Sequence, residues 1–221
     1  MSSERARRGL MLLISSPSGV GKTSLSRRLM ADHADLEFSI SMTTRAPRPG
    51  EHEGREYYFV SQDEFMAKVA AGFFLEWAEV HGHCSGTPKA PVMATLAAGR
   101  DMIFDIDWQG ARSIHASAPA DTVRVFILPP SIGEMARRIH ARAGDSDEMI
   151  RLRLENAKHE FAKYAEYDYV LLNDDFDRAY ADLAHIYHAE RLRRDRNPWV
   201  GPFVADLMRP PPGSSAPTAR R

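Results

Sequence analysis

The run with the plainest chemical use is Ser16-Pro17-Ser18-Gly19-Val20-Gly21-Lys22-Thr23, followed by Ser24. Gly19 and Gly21 let the backbone fold tightly around an anion with its N–H groups turned inward. Lys22 adds a compact positive charge for terminal phosphates, and Thr23 offers a hydroxyl to a magnesium ion. The spacing is that of a nucleoside-triphosphate cradle, G-x-x-x-x-G-K-[ST], except that Ser16 stands where the first glycine would be. ATPases, GTPases, kinases and transporter subunits all use such a cradle, so the other reactant must be read from elsewhere in the chain.

Two further groups of charged residues are candidates. Arg45 and Arg48 lie three residues apart in a stretch, 45–55, that holds two prolines and two glycines, and Tyr57 follows. Two guanidinium forks and a phenol can surround one phosphate dianion; a solvated basic loop fits the same spacing. Arg138, Arg142 and Arg153 flank the turn-like run Gly144-Asp145-Ser146-Asp147. Arginines on either side of a flexible turn read as a closing lid; the competing reading is a solvated helix face, since Arg137 and Arg151 are close by. Asp105 and Asp107, at i and i+2 in a predicted strand, should share one face at the carboxyl end of a sheet, or simply end it.

These groups need elements to hold them. Residues 10–14 form an apolar run bounded by Ser, Pro and Gly, which predicts a strand covered on both faces, and 23–31 predicts a helix opening at the cradle. Strands are expected at 38–41, 57–60, 73–80, 101–107, 121–128 and 167–172. Helices are expected at 62–71, 91–98, 131–140, 147–164 and 175–194. Gly99 is a stop signal for the second of these and Ser131 an N-cap for the third. Alternating strands and helices imply an α/β fold, three layers deep, with a parallel core sheet. The short elements between about 40 and 90 interrupt the alternation and predict an inserted subdomain. Residues 1–9 read as a frayed terminus, and the Pro- and Ser-rich run 209–221 as a disordered tail.

Bulk properties narrow the class. At 221 residues, 43% hydrophobic and 27% charged, the chain can bury its own core without staples. A net charge of -1 excludes a global field that would drive it onto nucleic acid or membrane. No apolar run reaches the ~20 residues of a membrane span. One cysteine, Cys84, allows no internal disulfide and fits a reducing compartment. The cytoplasm is the expected location.

In order along the chain stand the cradle, SISMTTRAPRPGE, FLEWAEV, GTP, FDIDWQG, FILPPS, RIHARAGDSDE and YDYVLLNDD. Together they resemble guanylate kinase of the bacterial type, a P-loop nucleoside monophosphate kinase family, over residues 9–195. The resemblance implies a core of 9–39, 91–137 and 155–195, a GMP-binding subdomain at 40–90 and a lid at 138–154. It implies transfer of the γ-phosphate of ATP to GMP or dGMP, with Mg2+, in GMP recycling. Lys22, Arg45, Arg138, Arg142 and Arg153 would be catalytic. Ser16 to Ser24 and Asn173, the latter near adenine or ribose, would bind ATP. Arg45, Arg48 and Tyr57 would clamp the GMP phosphate, and Ser41, Glu76, Thr87 and Asp107 would meet the guanine. Thr23, and Asp105 through water, would attend the metal. A carboxylate at Glu76 suits guanine because N1–H and N2–H₂ are both donors on one edge.

Two alternatives carry the same resemblance. One is a guanylate-kinase-like binding module of the kind found in scaffold proteins, which tends to have a degraded cradle and lid; here Lys22, Thr23 and the lid arginines are present. The other is a P-loop kinase with a different phosphorylated acceptor, which Ser41, Glu76 and Thr87 argue against. A GTPase would carry Asn-Lys-x-Asp, absent here. The sequence departs from the family at His83-Cys84-Ser85, where the family usually reads Asn-Tyr-Tyr; Ser85 is too short to replace a tyrosine hydroxyl on the GMP phosphate, which predicts weaker GMP binding unless His81 or His83 compensates. Small-molecule substrates are the expected partners; the oligomeric state stays open, a homo-oligomer included.

Overall fold

The run at 10–14 is the centre of the molecule. In the computed structural model, which describes residues 5–80, 82–141 and 147–209, it forms β1 (Met11–Ser15), every residue of it buried. Four parallel strands flank it in the order β2-β7-β1-β8-β9, with β2 at Leu36–Phe38, β7 at Asp101–Asp105, β8 at Thr122–Leu128 and β9 at Tyr169–Leu172. Strand alternation sends Leu12 and Ile14 to one face of the sheet and Met11 and Leu13 to the other. The first pair packs with α1 (Lys22–Asp32), α5 (Ile132–His140), α6 (Asp147–Phe161) and α7 (Phe176–Leu192). The second packs with α3 (Lys89–Ala97) and α4 (Trp108–Ser117). The result is the expected three-layer α/β/α arrangement.

A second sheet, in the order β4-β3-β6-β5, is built between β2 and α3. Its strands are β3 (Ser41–Thr43), β4 (Tyr57–Phe59), β5 (Phe74–Val80) and β6 (His83–Pro88); β3 and β4 run parallel and the other pairs antiparallel. Helix α2 (Gln62–Ala70) covers it, capped by Ser61. Its core is small, centred on Met42, Phe65 and Cys84, with Phe65 stacked on Phe74 at 4.5 Å.

Several expectations need correction. The single strand expected at 38–41 is two strands in different sheets, because the chain leaves the parallel sheet after Phe38 and enters the second sheet at Ser41. Strand β7 ends at Asp105, so Asp105 and Asp107 do not share a strand face; Asp107 is the N-cap of α4 and accepts from the Gly110 N–H at 2.8 Å. An Asp whose carboxylate accepts from a first-turn N–H keeps an extended backbone itself but starts the helix at the next residue. Helix α4, strand β6 and a last helix α8 (Val200–Leu207) were not expected; Gly201 and Pro202 hide α8, although proline is tolerated in a first turn.

The terminus is not frayed from Arg7 onward. Arg7 pairs with the fully buried Asp101, Arg8 with Asp121, and the Arg8 N–H donates to the Arg196 carbonyl at 2.8 Å. Asp101 also accepts from the Leu10 N–H and the Tyr187 hydroxyl. A buried carboxylate is tolerated only with partners, and the basic terminus supplies them. Of the expected tail, only Arg209 falls within the described residues. Among those residues no helix is long and apolar enough to cross a membrane.

Candidate functional site

The cradle is a backbone structure locked from several sides. Gly19 and Gly21 have φ of 82° and 103°, which side-chain-bearing residues rarely adopt. There is also no room: a Cβ at Gly19 would lie 2.7 Å from Ile139 Cγ1, and one at Gly21 2.5 Å from Asn173 Nδ2. Gly21 is the N-cap of α1 and supplies no side-chain cap, so the helix's first-turn N–H groups and its positive end are left for an anion. The Ser16 hydroxyl turns to the Pro17 carbonyl, and the Ser24 N–H closes onto Gly21 O.

Beside the cradle, the parallel pairing of β1 with β7 sets Ile14 against Asp105. That register brings Asp105 to Lys22 Nζ at 2.6 Å and to the Thr23 hydroxyl at 3.0 Å, one carboxylate oxygen to each. Lys22 also reaches the Ile106 carbonyl at 3.4 Å.

A cavity of about 440 Å³ opens between the two sheets. Ser41, Tyr57, Glu76 and Thr87 line it from the second sheet, Asp105 from the end of β7 in the parallel one, and Asp107 from the start of α4. Glu76 and Thr87 face each other across β5 and β6, and the Thr87 hydroxyl donates to Glu76 Oε1 at 2.8 Å. Burial, with the nearby Asp107 charge, lifts the Glu76 carboxyl above its ordinary range, while Thr87 opposes the shift. Thr87, through its hydroxyl and its backbone N–H, is the donor on this carboxylate, and an acceptor-only group in such a half-buried place suits a ligand edge rich in N–H groups.

The loop between β3 and β4 presents the arginines. Arg48-Pro49-Gly50-Glu51 is a tight turn closed by the Glu51 N–H on Arg48 O, with Gly50 at φ 87°; Pro then Gly at its centre is the type II preference. Glu51 reaches back, accepting from the Arg48 N–H at 2.8 Å and from Arg45 Nη2 at 2.9 Å. The Arg48 N–H and then Arg45 hold its carboxyl below the usual range. The Arg45 guanidinium sits 5.3 Å from the centre of the Tyr57 ring. Arg45 and Tyr57 are therefore together, while Arg48 lies on the exposed part of the loop. Ser85, between Thr43 and Ala78 in the sheet, lines the cavity; His83 is exposed, and His81 lies outside the described residues.

Of the three lid candidates, Arg138 on α5 bonds Glu134 at 2.7 Å and reaches the carbonyls of Val20 and Asn173 at 3.3 Å. Arg137 and Arg138 pull the Glu134 carboxyl down to about 2. Arg153 on α6 reaches the Ser18 hydroxyl at 3.4 Å. Arg142 lies outside the described residues. Asn173 is buried behind the cradle, its side chain bonded to Val20 O at 2.6 Å.

Two acidic residues went unread in the sequence. Glu51 has a local signal, the Pro49-Gly50 turn that points it back at Arg48. Glu160, half-buried on α6, has none: burial raises its pKa, with Lys22 opposing and Asp107 adding, so it faces the site only because α6 packs there.

The chain is similar to known proteins over most of its length. The family model described as guanylate kinase matches residues 8–190. A guanylate kinase of Caulobacter vibrioides is 60% identical, covering 94% of this chain and 97% of that protein. One of Maricaulis maris is 53% identical over 91% of this chain and 93% of its own length. The crystal structure of guanylate kinase from Anaplasma phagocytophilum superposes with a TM-score of 0.69 at 33% identity, covering 86% of this chain and 90% of that one.

Proposed function

This chain belongs to the guanylate kinase family, and we propose that it transfers the γ-phosphate of ATP to GMP, giving ADP and GDP. The observation that carries the assignment is one cavity with two chemistries: Glu76 with Thr87 on one wall, and Asp105, tied to Lys22 and Thr23, on the other. The pair suited to reading a base thus shares a cavity with Asp105, the residue that ties this space to the neighbouring cradle.

ATP takes the cradle Ser16–Thr23, with its phosphate oxygens on the loop N–H groups and Lys22 exchanging Asp105 for phosphate. GMP takes the cavity, in a subdomain comprising residues 40–90. Glu76 accepts from guanine N1–H and N2–H₂. AMP offers no such pair and would leave the half-buried carboxylate unpaired, which is the strong form of rejection. Arg45, Arg48 and Tyr57 hold the GMP phosphate. Arg138, Arg142 and Arg153, in a lid at 138–154, balance the charge that spreads over the transferring group. The acceptor is already an anion, so no general base is required.

Thr23 and Asp105 fit Mg2+: their facing oxygens are hard donors beside the phosphate site. Bound there with ATP, the ion neutralises charge on the phosphate oxygens.

A coupled ADP-release assay with GMP, dGMP, AMP, CMP and UMP tests the proposal. Turnover should need GMP or dGMP. No GMP-dependent turnover defeats the kinase reading, and equal turnover with AMP defeats the guanine assignment.

A further inference from the structure

The resemblance sets Asn173 beside the adenine or ribose, but its side chain is already engaged. It is 4% exposed, and Nδ2 donates to the Val20 carbonyl at 2.6 Å, across 153 positions of sequence. Turning the amide over would set its oxygen against that carbonyl oxygen, so the donor orientation is dictated. Arg138 adds Nη1 to the same carbonyl and both Nη atoms to the backbone carbonyl of Asn173, all at 3.3 Å.

The consequence follows from peptide geometry. In a trans peptide the C=O and the next N–H point in opposite directions. Holding the Val20 carbonyl toward Asn173 therefore turns the Gly21 N–H away from it. Gly21, with φ of 103° and no Cβ, does not by itself fix the planes of its peptides. It is also where the Asn173 amide occupies the space a side chain would need.

We infer that Asn173 is a positioning residue for the donor site: its amide N–H locks the Val20–Gly21 peptide so that the Gly21 N–H faces the phosphates. Arg138 shares the same carbonyl, so the brace links the lid helix α5 to the cradle. The inference rests on the reading that Ser16–Thr23 hold the ATP polyphosphate.

The test separates a donor from a space-filler. Asn173→Asp keeps the shape and replaces the N–H donor by an oxygen; Asn173→Ala removes both. The brace predicts that both raise the KM for ATP about tenfold, the order expected on losing a buried polar contact. Asp should be at least as impaired as Ala, and the KM for GMP should hold. ADP affinity by titration calorimetry, read without turnover, should follow the same order. A space-filling role predicts the reverse order, and Asn173→Asp binding ADP like the parent chain overturns the inference. If the melting curve shows that a variant has not folded, Asn173→Ser replaces it, since its hydroxyl is too short to reach Val20 O; undiminished ADP affinity there overturns the inference equally. Lys22→Ala distinguishes the two levels. If it keeps full ATP turnover, the donor reading itself has failed. If it is inactive while the Asn173 variants bind ADP normally, only the brace has failed.

Discussion

The donor cradle and the acceptor cavity face each other but are built by different means. The cradle hangs from a central strand with no exposed residue, and the groups proposed to bind there are main-chain N–H groups, in a loop shaped by Gly19, Gly21 and the packing of Ile139 and Asn173. The acceptor side hangs from a second sheet over a small core, and the groups proposed to bind there are side chains: Glu76 and Thr87 on β5 and β6, Arg45 after β3 and Tyr57 on β4. Polyphosphate is the same in every nucleoside triphosphate, so a rigid backbone nest serves it, and preorganisation lowers the ordering cost of binding. A particular base must be told from others, which takes side chains of chosen chemistry. In both regions the charged groups are held by protein partners: Lys22 by Asp105, Arg45 by Glu51. On the proposed function, each partner would keep its cation in place until a phosphate competes for it.

The comparison can be broken most decisively at the cradle. Lys22→Ala should lower kcat by about 10²–10³-fold, as loss of one transition-state charge contact does, with an unchanged melting temperature; full activity would mean that the cradle is not the donor site. On the acceptor side, Glu76→Gln should lower kcat/KM for GMP by about 10²-fold, on the scale of hydrogen bonds to a charged group. The same variant should melt higher than the parent at neutral pH. Burial raises the Glu76 carboxyl above its unfolded value. Between those two values the folded chain holds a proton that the unfolded chain has lost, so stability falls as pH rises through the window. Glutamine removes that fall. A lower melting point would show that the ionised carboxylate supports the fold instead of taxing it.

The pH dependence of the parent enzyme sharpens the same point. Guanine needs the ionised form of Glu76, so the KM for GMP should fall as pH rises through that window. The KM for ATP should not follow it, and parallel profiles would argue against the separation of the two sites. The smallest effect is expected at Ser85, which lines the cavity without a long side chain. Ser85→Tyr should lower the KM for GMP by about tenfold, the low end for one hydrogen bond to a charged group; an unchanged or higher KM would sink the idea that this position weakens phosphate binding.

Much of this was legible because it is local. An apolar run, two glycines and Lys-Thr define the strand, the nest and the helix start within fourteen residues, 10–23, and Ser131 announces its helix through its own cap. What stayed hidden depended on long-range placement or on ambiguous local chemistry. Asp107 reads as a strand residue until its carboxylate is seen capping α4. The basic terminus reads as solvated until Asp101 and Asp121 are found buried beneath it. Strand β6 carries Cys84, Ser85 and Gly86, none of which advertises a strand, and it forms because β3 and β5 flank it.

By itself, then, the sequence determined a glycine-rich strand–loop–helix junction of the kind that cradles polyphosphate, which residue types could read guanine, and that the core would be a layered parallel sheet. Only the tertiary structure decided the pairings: Asp105 on Lys22 and Thr23, Thr87 on Glu76, Glu160 toward the site, and Asn173 on Val20. The physical reason is that backbone conformation follows from neighbours within a few residues, whereas these partners are set by strand order and helix packing. Sheet topology places β7 beside β1, and β9 beside β8, with the chain's spacing having no say in which side chains meet there.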